Sequence, residues 1–308
     1  MNNFQQSPNS RQRLSTTPRT PTTPEILHAM DYKPRLYEEI SIIMRAFGDS
    51  LSGQNRDSII LVEKIVIQQL RGIINEVINV AYKRTGNIVP SQCDFEFLMR
   101  GNAANSQRFR KYMRSVNNLK SEKKQGLGIN FLNRIVEDSS DEEQEIYDAE
   151  KTRRLFRADR ISQILNPQKY EEFQKARTWS SNVRNKTDML RKLVEMLQIP
   201  KEIQDHSYCL EILLYLTQET IAKIVDFAIL TRLNTDNHTT DLEPISSSIT
   251  NNMLHLCPEV TQGRGKDGIK AITVQEINEA IRRVQTMTTR RLGTSFRSND
   301  MKIPFLAL

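Results

Sequence analysis

The chain has 308 residues, of which 38% are hydrophobic and 6% aromatic, and this composition favours one or two globular domains built from helices. The longest uncharged apolar run is far too short to cross a bilayer, so we expect no membrane span. Cys93, Cys209 and Cys257 lie far apart with no Cys-x-x-Cys pair, which indicates neither a disulfide framework nor a zinc knuckle.

The first 34 residues differ in composition from the rest of the chain. They are rich in Ser, Thr, Pro, Gln and Asn and poor in apolar residues. Such a segment cannot bury enough surface to offset the entropy of ordering, so we expect a disordered tail. Four residues there precede a proline, a pattern that also suits a proline-directed kinase: Ser7, Thr17, Thr20 and Thr23.

From residue 36 onward the apolar residues follow the period of a helix. Leu36 begins a single apolar stripe, and Gly48 is placed to end this short helix. After a polar loop, Asp57 or Ser58 is placed to cap a long helix that runs to Arg84. At 1.5 Å per residue, this predicted helix is roughly 40 Å long.

The long helix carries two apolar stripes on different sides of its axis, so it needs partners on two sides. A short helix follows, with Ser91 and Asp94 spaced as a capping box, and a further amphipathic helix is predicted from Ser106 to about Val116. The two stripes are Val62, Val66, Leu70, Ile73, Val77 and Ala81, and Ile60, Ile67, Ile74 and Ile78.

The same order of helices recurs in the second half of the chain. A candidate short helix ends at Ile199–Pro200, and a second long apolar helix is predicted from Leu210 to Arg232. The segment KAITVQEINEAIRR then aligns with NIVPSQCDFEFLMR, which indicates an internal repeat. The aligned cap positions are Thr273 for Ser91 and Glu276 for Asp94.

Two short–long–short helical units on one chain follow the plan of two histone folds fused head to tail. We therefore predict an all-α intramolecular pseudo-dimer in which each long helix crosses the other and covers its exposed stripe. The residues predicted to carry this pairing are Val62, Val66, Leu70, Ile73, Ile74, Val77, Leu213, Leu214, Ile221 and Val225.

Five regions follow from this plan. They are a disordered tail at 1–34, a first histone fold with an extra helix at 35–116, a charged linker and helix at 117–179, a second histone fold at 180–285 and a C-terminal tail at 286–308. Within the second fold, the polar residues 234–270 are predicted to form an inserted, solvated loop.

The formal net charge of +7 is unevenly distributed along the chain. Residues 101–136 and residues 151–198 each carry a net charge of +7, and residues 137–150 between them carry −8. We expect the acidic block to be a disordered linker and the basic blocks to be solvated helices or linkers.

These segments resemble a known family of proteins. YEEISIIMRAFGDS, ILVEKIVIQQL and EFLMRGNAANSQRFRKYM are similar to the first histone fold of the suppressor-of-Ty "three" family of SAGA coactivator subunits. LEILLYLTQETIAKIVDFAILTR, ITVQEINEAIRR and PFLAL are similar to the second fold and the C-terminus of that family. Taken singly, the motifs also resemble the paired histone-fold subunits thirteen and eleven of TFIID. Family members often carry a charged run where this sequence has Gly101–Asn102–Ala103–Ala104.

The resemblance implies a non-enzymatic transcription coactivator subunit in the nucleus. Such a subunit binds the TATA-binding protein and helps deliver it to promoters within a SAGA-type histone acetyltransferase complex. Its partners would be the TATA-binding protein and other subunits of that complex, with chromatin reached indirectly. A TFIID-type scaffold subunit is an alternative.

The sequence contains no pattern that points to catalysis or to a cofactor. GRGKDG lacks the spacing of a phosphate-binding loop, and no nucleophile, His and Asp occur with the spacing of a catalytic family. His255-x-Cys257 would need two further ligands to hold a metal. We therefore expect no enzyme, no metal and no cofactor. The four histidines are scattered: His28, His206, His238 and His255.

Glu219 is a carboxylate in the middle of the otherwise apolar second long helix. One interpretation places it on the solvent face, where a pair with Lys223 at i+4 contributes about 0.3–0.5 kcal/mol. In the other, Glu219 and Asp226 contact the basic surface of the TATA-binding protein, where charge complementarity sets specificity and association rate. Glu219→Lys would then weaken that association and leave the fold intact.

A different class of function is direct, histone-like binding of DNA by the pseudo-dimer. This mode needs Arg side chains aimed at successive minor grooves. The loops that precede the two long helices are close to neutral, so we do not expect direct DNA binding. Their charged residues are Asp49, Arg56 and Asp57 in the first, and Lys201, Glu202 and Asp205 in the second.

A self-paired double fold makes a prediction about oligomeric state. Because each unit covers the apolar face of the other, the purified chain should be a helical monomer in size-exclusion chromatography with light scattering. An obligate dimer or an aggregate would show that the two halves pair with other chains.

Overall fold

The computed structural model describes residues 33–125, 146–181, 186–237, 269–291 and 305–308. Residues from Pro34 onward form one compact unit. The described residues contain ten helices and no strand, so the prediction of an all-α fold is confirmed, and none of these helices is long and apolar enough to cross a membrane. The helices are α1 (Tyr37–Ala46), α2 (Arg56–Thr85), α3 (Gln92–Met99), α4 (Ala103–Gln125), α5 (Ala149–Ile164), α6 (Pro167–Ser181), α7 (Thr187–Leu197), α8 (Lys201–Gln204), α9 (Ser207–Asn237) and α10 (Val274–Arg291).

Helices α1, α2 and α3 form the first short–long–short unit. Its long helix begins earlier than predicted, because Asn55 caps it by accepting a hydrogen bond from the Asp57 amide at 3.0 Å. The predicted caps, Asp57 and Ser58, are therefore wrong. The helix ends at Gly86, whose φ of +72° is the left-handed conformation that favours glycine.

Helices α7, α9 and α10 form the second short–long–short unit. The long helix α9 continues to Asn237, beyond the predicted end at Arg232 and into the predicted insert at 234–270. Residues 238–268 of that insert lie outside the described residues, as do residues 1–32 of the predicted tail.

The two units share one continuous hydrophobic core, and the long helices α2 and α9 contact each other within it. Two units of short, long and short helices, paired through both long helices, are two histone folds on one chain. All ten residues predicted to carry the pairing lie in this core: Val62, Val66, Leu70, Ile73, Ile74, Val77, Leu213, Leu214, Ile221 and Val225. That these ten set the strength of pairing stays a prediction.

Hydrogen bonds join the two units at both ends of the paired helices. At one end, the Ile272 amide donates to Asp49 Oδ1 at 2.8 Å, and the Ser58 hydroxyl donates to the Ile272 carbonyl at 2.7 Å. At the other end, the Tyr208 hydroxyl donates to the Pro90 carbonyl at 2.7 Å. In each case residues at or shortly before the start of one unit's long helix bind the segment just before the last helix of the other unit, as expected for a pseudo-two-fold arrangement.

An arginine near the end of each long helix holds the following short helix. Arg84 donates two hydrogen bonds to Asp94, at 2.7 and 2.8 Å. Arg232 donates to both oxygens of Glu276, at 2.6 and 2.9 Å. The two carboxylates also accept from the main-chain amides of Ser91 and Thr273, at 2.7 Å each, which confirms the predicted capping boxes. The repeat seen in the sequence is thus a repeat of this arginine–carboxylate contact.

Helices α5 and α6 lie between the two units in the sequence and pack against both. Helix α6 contacts α1, and Arg157 of α5 donates to the Phe47 carbonyl at 2.8 Å. The Arg157 side chain passes over Gly48, where a Cβ atom would lie 2.8 Å from its Cδ. Gly48 also has a φ of +113°, so two separate constraints favour glycine here.

We predict that Asp94 makes the fold sensitive to acid. Hydrogen bonds from Arg84 lower the pKa of its carboxyl group to about 2, from an ordinary value of 3.8. Because the folded-state pKa is depressed, the stabilisation is present above pH 4 and is lost as the pH falls from about 4 to about 2. In urea unfolding across this range, Asp94→Asn should lose less stability than the wild type.

The matched control for this experiment is Asp159→Asn, on an exposed position of α5. Its pH dependence should follow that of the wild type. If Asp94→Asn follows the wild type as well, the Arg84–Asp94 contact does not contribute to acid sensitivity.

Candidate functional site

The two residues predicted to bind a partner, Glu219 and Asp226, lie on the same face of α9. They are separated by seven residues, with Lys223 between them, so the spacing of two helical turns brings them to one side. The Glu219 side chain is 7% exposed and the Asp226 side chain 16% exposed. This face of α9 is covered by other parts of the chain.

Glu219 is bound by two arginines from different helices. Arg154 of α5 donates from Nη1 to Oε2 at 3.0 Å and from Nη2 to Oε1 at 3.1 Å, which is a bidentate contact. Arg108 of α4 donates to Oε1, also at 3.1 Å. One carboxylate of α9 therefore holds both α4 and α5.

Asp226 is bound by the same helix α5 one turn further along. Arg154 Nε donates to Asp226 Oδ2 at 2.8 Å, and Arg157 donates to Oδ1. Arg154 thus bridges Glu219 and Asp226, while Arg157 joins Asp226 to the main chain at the end of α1. The contacts tie the first unit, the intervening helix α5 and the second unit together.

The start of α5 completes the group of charges. Arg108 also pairs with Glu150 at 2.8 Å and lies 3.1 Å from Asp148, the residue that caps α5. Lys223 pairs with Glu150 at 3.6 Å. We call these side chains the ion-pair cluster. Its four cations and four anions balance in charge, and its members are Arg108, Asp148, Glu150, Arg154, Arg157, Glu219, Lys223 and Asp226.

The balance of charge decides the protonation of the buried groups. Burial acts to raise the pKa of Asp226, but Arg157 and Arg154 outweigh it, and the pKa is below its ordinary value. Burial acts to lower the pKa of Arg154, yet Asp226 and Glu219 raise it above the usual range. Both groups therefore stay charged at neutral pH, and each keeps the other in that state.

The interpretation that places Glu219 on a solvent face, in a surface pair with Lys223, is wrong because both residues are buried. Glu219 is buried, and its partners come from α4 and α5 because an isolated carboxylate at this depth would cost far more than a surface pair contributes. The expectation that residues 151–198 are merely solvated is wrong for Arg154 and Arg157, which are bound in the ion-pair cluster.

The sequence does contain a signal for these arginines. The buried residues Ala158 and Ile161 mark the face of α5 that packs against the core, and Arg154 and Arg157 share it at i, i+3, i+4 and i+7. Two arginines on an apolar helix face predict buried carboxylate partners. Glu219 and Asp226 are these partners. Glu150, from the acidic block 137–150, pairs instead with Arg108 of α4, and residues 137–145 of that block lie outside the described ones.

The ion-pair cluster has the chemistry of a structural site. Its carboxylates are occupied by arginines, and the described part of the chain holds no group of three or more side chains placed to bind a metal. The segment GRGKDG and both His255 and Cys257 lie outside the described residues. The geometry supports a role in holding helices together and in shaping the surface above them.

The paired short–long–short units define the chain as a tandem histone-fold protein. Residues 35–127 match the family model of the transcription initiation factor IID, 18kD subunit. The SAGA complex subunit Spt3 of Drosophila melanogaster is 43% identical over 286 residues, which cover 89% of this chain and 74% of that protein. The chain belongs to the Spt3 family of histone-fold transcription proteins. It is not an enzyme, because this family consists of structural and regulatory subunits.

We predict that Arg154 is required for the stability of the ion-pair cluster. Arg154→Met would leave Glu219 and Asp226 buried with fewer cations, so the free energy of unfolding should fall by about 3–5 kcal/mol. Its neighbour Arg153 is exposed on the same helix. Arg153→Met should change stability by less than about 0.5 kcal/mol. Urea unfolding of both variants measures the difference, and equal small losses would show that the ion-pair cluster is not stabilising.

Proposed function

We propose that this chain is the tandem histone-fold subunit of a SAGA-type coactivator complex and acts in the nucleus. The observation that carries this proposal is the 43% identity to a SAGA complex subunit along 89% of the chain. The self-paired fold supports it, because both long helices are buried against each other within one chain. Partners then bind the outer faces of the pseudo-dimer, and no second histone-fold chain is needed to complete it.

Within that complex, we propose that the subunit binds the TATA-binding protein and helps deliver it to promoters. The sequence resemblance supports this finer role. We also propose the division into regions 1–34, 35–116, 117–179, 180–285 and 286–308, with the change that part of region 117–179 forms α5 and α6 and packs on both histone folds. Those helices belong to the surface that a partner meets.

Glu219 and Asp226 can serve this binding in two ways. In the direct way, they contact the partner and must first leave their arginines, at a high energetic cost for buried charges. In the indirect way, they fix α4 and α5 on α9 and so shape the outer surface that the partner recognises. The contacts with Arg108, Arg154 and Arg157 support the indirect way.

A TFIID-type scaffold subunit is the second candidate, and a specific observation favours it. The family model that matches residues 35–127 is that of a TFIID subunit. Direct DNA binding has less support, because several arginines of the described residues are bound to carboxylates: Arg84, Arg108, Arg154, Arg157 and Arg232.

Affinity purification of the tagged chain from nuclear extract tests the proposal and separates the candidates. We expect subunits of an acetyltransferase complex of the SAGA type to copurify, together with the TATA-binding protein. Recovery of TFIID subunits without the acetyltransferase would favour the scaffold role. Absence of the TATA-binding protein from the wild-type sample would contradict delivery.

The same pull-down separates the two roles of the carboxylates. Glu219→Lys places a cation beside Arg108 and Arg154, so we expect loss of stability, not the intact fold anticipated from the sequence. The informative pair is Glu219→Gln and Arg154→Met, compared at a temperature where circular dichroism shows both folded. Equal loss of the TATA-binding protein indicates the indirect role, and loss with Glu219→Gln alone indicates direct contact. Full retention in both would remove these residues from the binding site.

A further inference from the structure

Residues 305–308 follow the second histone fold in the sequence, but they form a short segment that lies on α2 of the first histone fold. Leu306 is 4% exposed and Ala307 1% exposed, and both belong to the continuous core. The Leu306 amide donates to Gln69 Oε1 of α2 at 2.9 Å. Four residues thus bury two side chains and satisfy a main-chain donor against α2.

Phe305 explains a glycine in the middle of the long helix α2. A Cβ atom on Gly72 would lie 2.6 Å from Cε1 of the Phe305 ring, too close for the ring to remain in place. Glycine is among the poorest residues for a helix interior, so its presence here needs a reason. Close approach of the aromatic ring to the helix backbone supplies that reason.

The far end of the segment is held by α4. Asn105 Nδ2 donates to the main-chain oxygen of Leu308 at 3.3 Å, and Arg108 donates to Asn105 Oδ1. Asn105 is 2% exposed and Gln69 is 3% exposed, so both amides are buried beneath the segment. The two buried amides bind the main chain of the segment at two points, and the space above Gly72 holds an aromatic ring. This arrangement is typical of a peptide-binding site.

We propose that Gln69, Gly72 and Asn105 form a peptide-binding site whose ligand is the segment Phe305–Leu308 of the same chain. The site takes a short apolar peptide with an aromatic residue first and a small residue third. The third position is restricted because Ala307 is 1% exposed. The contacts that hold the segment are made by the side chains and main chain of these four residues. A free peptide that contains them should therefore bind the same site.

Substitution of Gly72 gives a test in which the direction of the effect is decisive. In the wild type, Gly72→Ala should lower the melting temperature and increase hydrogen exchange at the Leu306 amide, because the new methyl group displaces the ring. In a Phe305→Ala background, the same change should raise the melting temperature, because alanine favours the helix once the ring is gone. Gly101→Ala is the matched control, since a Cβ there meets no atom within 4 Å. Gly72→Ala that stabilises both backgrounds equally would overturn the proposal.

Binding in trans gives a second, independent measurement on the full chain. A fluorescent peptide with the sequence of residues 303–308 should bind the Phe305→Ala protein and not the wild type, whose site is occupied. Binding should weaken by about tenfold or more when the peptide carries Ala in place of Phe, as expected for the loss of a partly buried ring. Adding Gly72→Ala to the receptor should weaken binding similarly.

Two results of these measurements would overturn the proposal. One is the failure of the peptide to bind a Phe305→Ala protein that circular dichroism shows to be folded. The other is a wild-type dimer that dissociates on Phe305→Ala, which would place the segment in the site of a second copy.

Discussion

The structure depends on the two-sided apolar surface of its long helices. Helix α2 is buried along most of its length, and no flat unit of three helices can cover both of its faces. Helix α9 of the second unit covers the remaining apolar face of α2. Helix α9 is also apolar on more than one side, and α2 covers it in turn. Capping boxes, arginine–carboxylate contacts and loop hydrogen bonds then fix the register of a pairing that apolar burial drives.

The ion-pair cluster adds a different kind of constraint to this core. Apolar contacts are non-directional, so they tolerate small shifts of one helix along another. A bidentate arginine between two carboxylates does not tolerate such shifts, because its hydrogen bonds have a fixed geometry. Arg154 and Arg157 therefore determine where α5 lies on α9. The net neutral charge allows the group to be buried without leaving an excess charge in a medium of low dielectric.

The order of helices and the repeat could be predicted from sequence because each rests on local patterns. Apolar periodicity located both long helices, and the cap spacing located α3 and α10. The sequence predicts Asp57 or Ser58 as the cap of α2, whereas Asn55 caps it, because these three polar residues lie within four positions and their capping strengths differ little. The burial and the ion-pair partners of Glu219 could not be predicted from local sequence patterns. Its partners lie 65 and 111 residues away, and charge alone does not show which arginines are buried.

Joining both histone folds in one chain changes how their pairing responds to dilution. Two folds on separate chains dissociate as their concentration falls, because pairing is bimolecular. Here the hydrogen bond between Asp49 and Ile272 joins residues 223 positions apart in the same chain, so the partner is always present at a fixed effective concentration. The two folds are also synthesised in equal amounts. Neither unit is left with its long helix exposed while it waits for a partner.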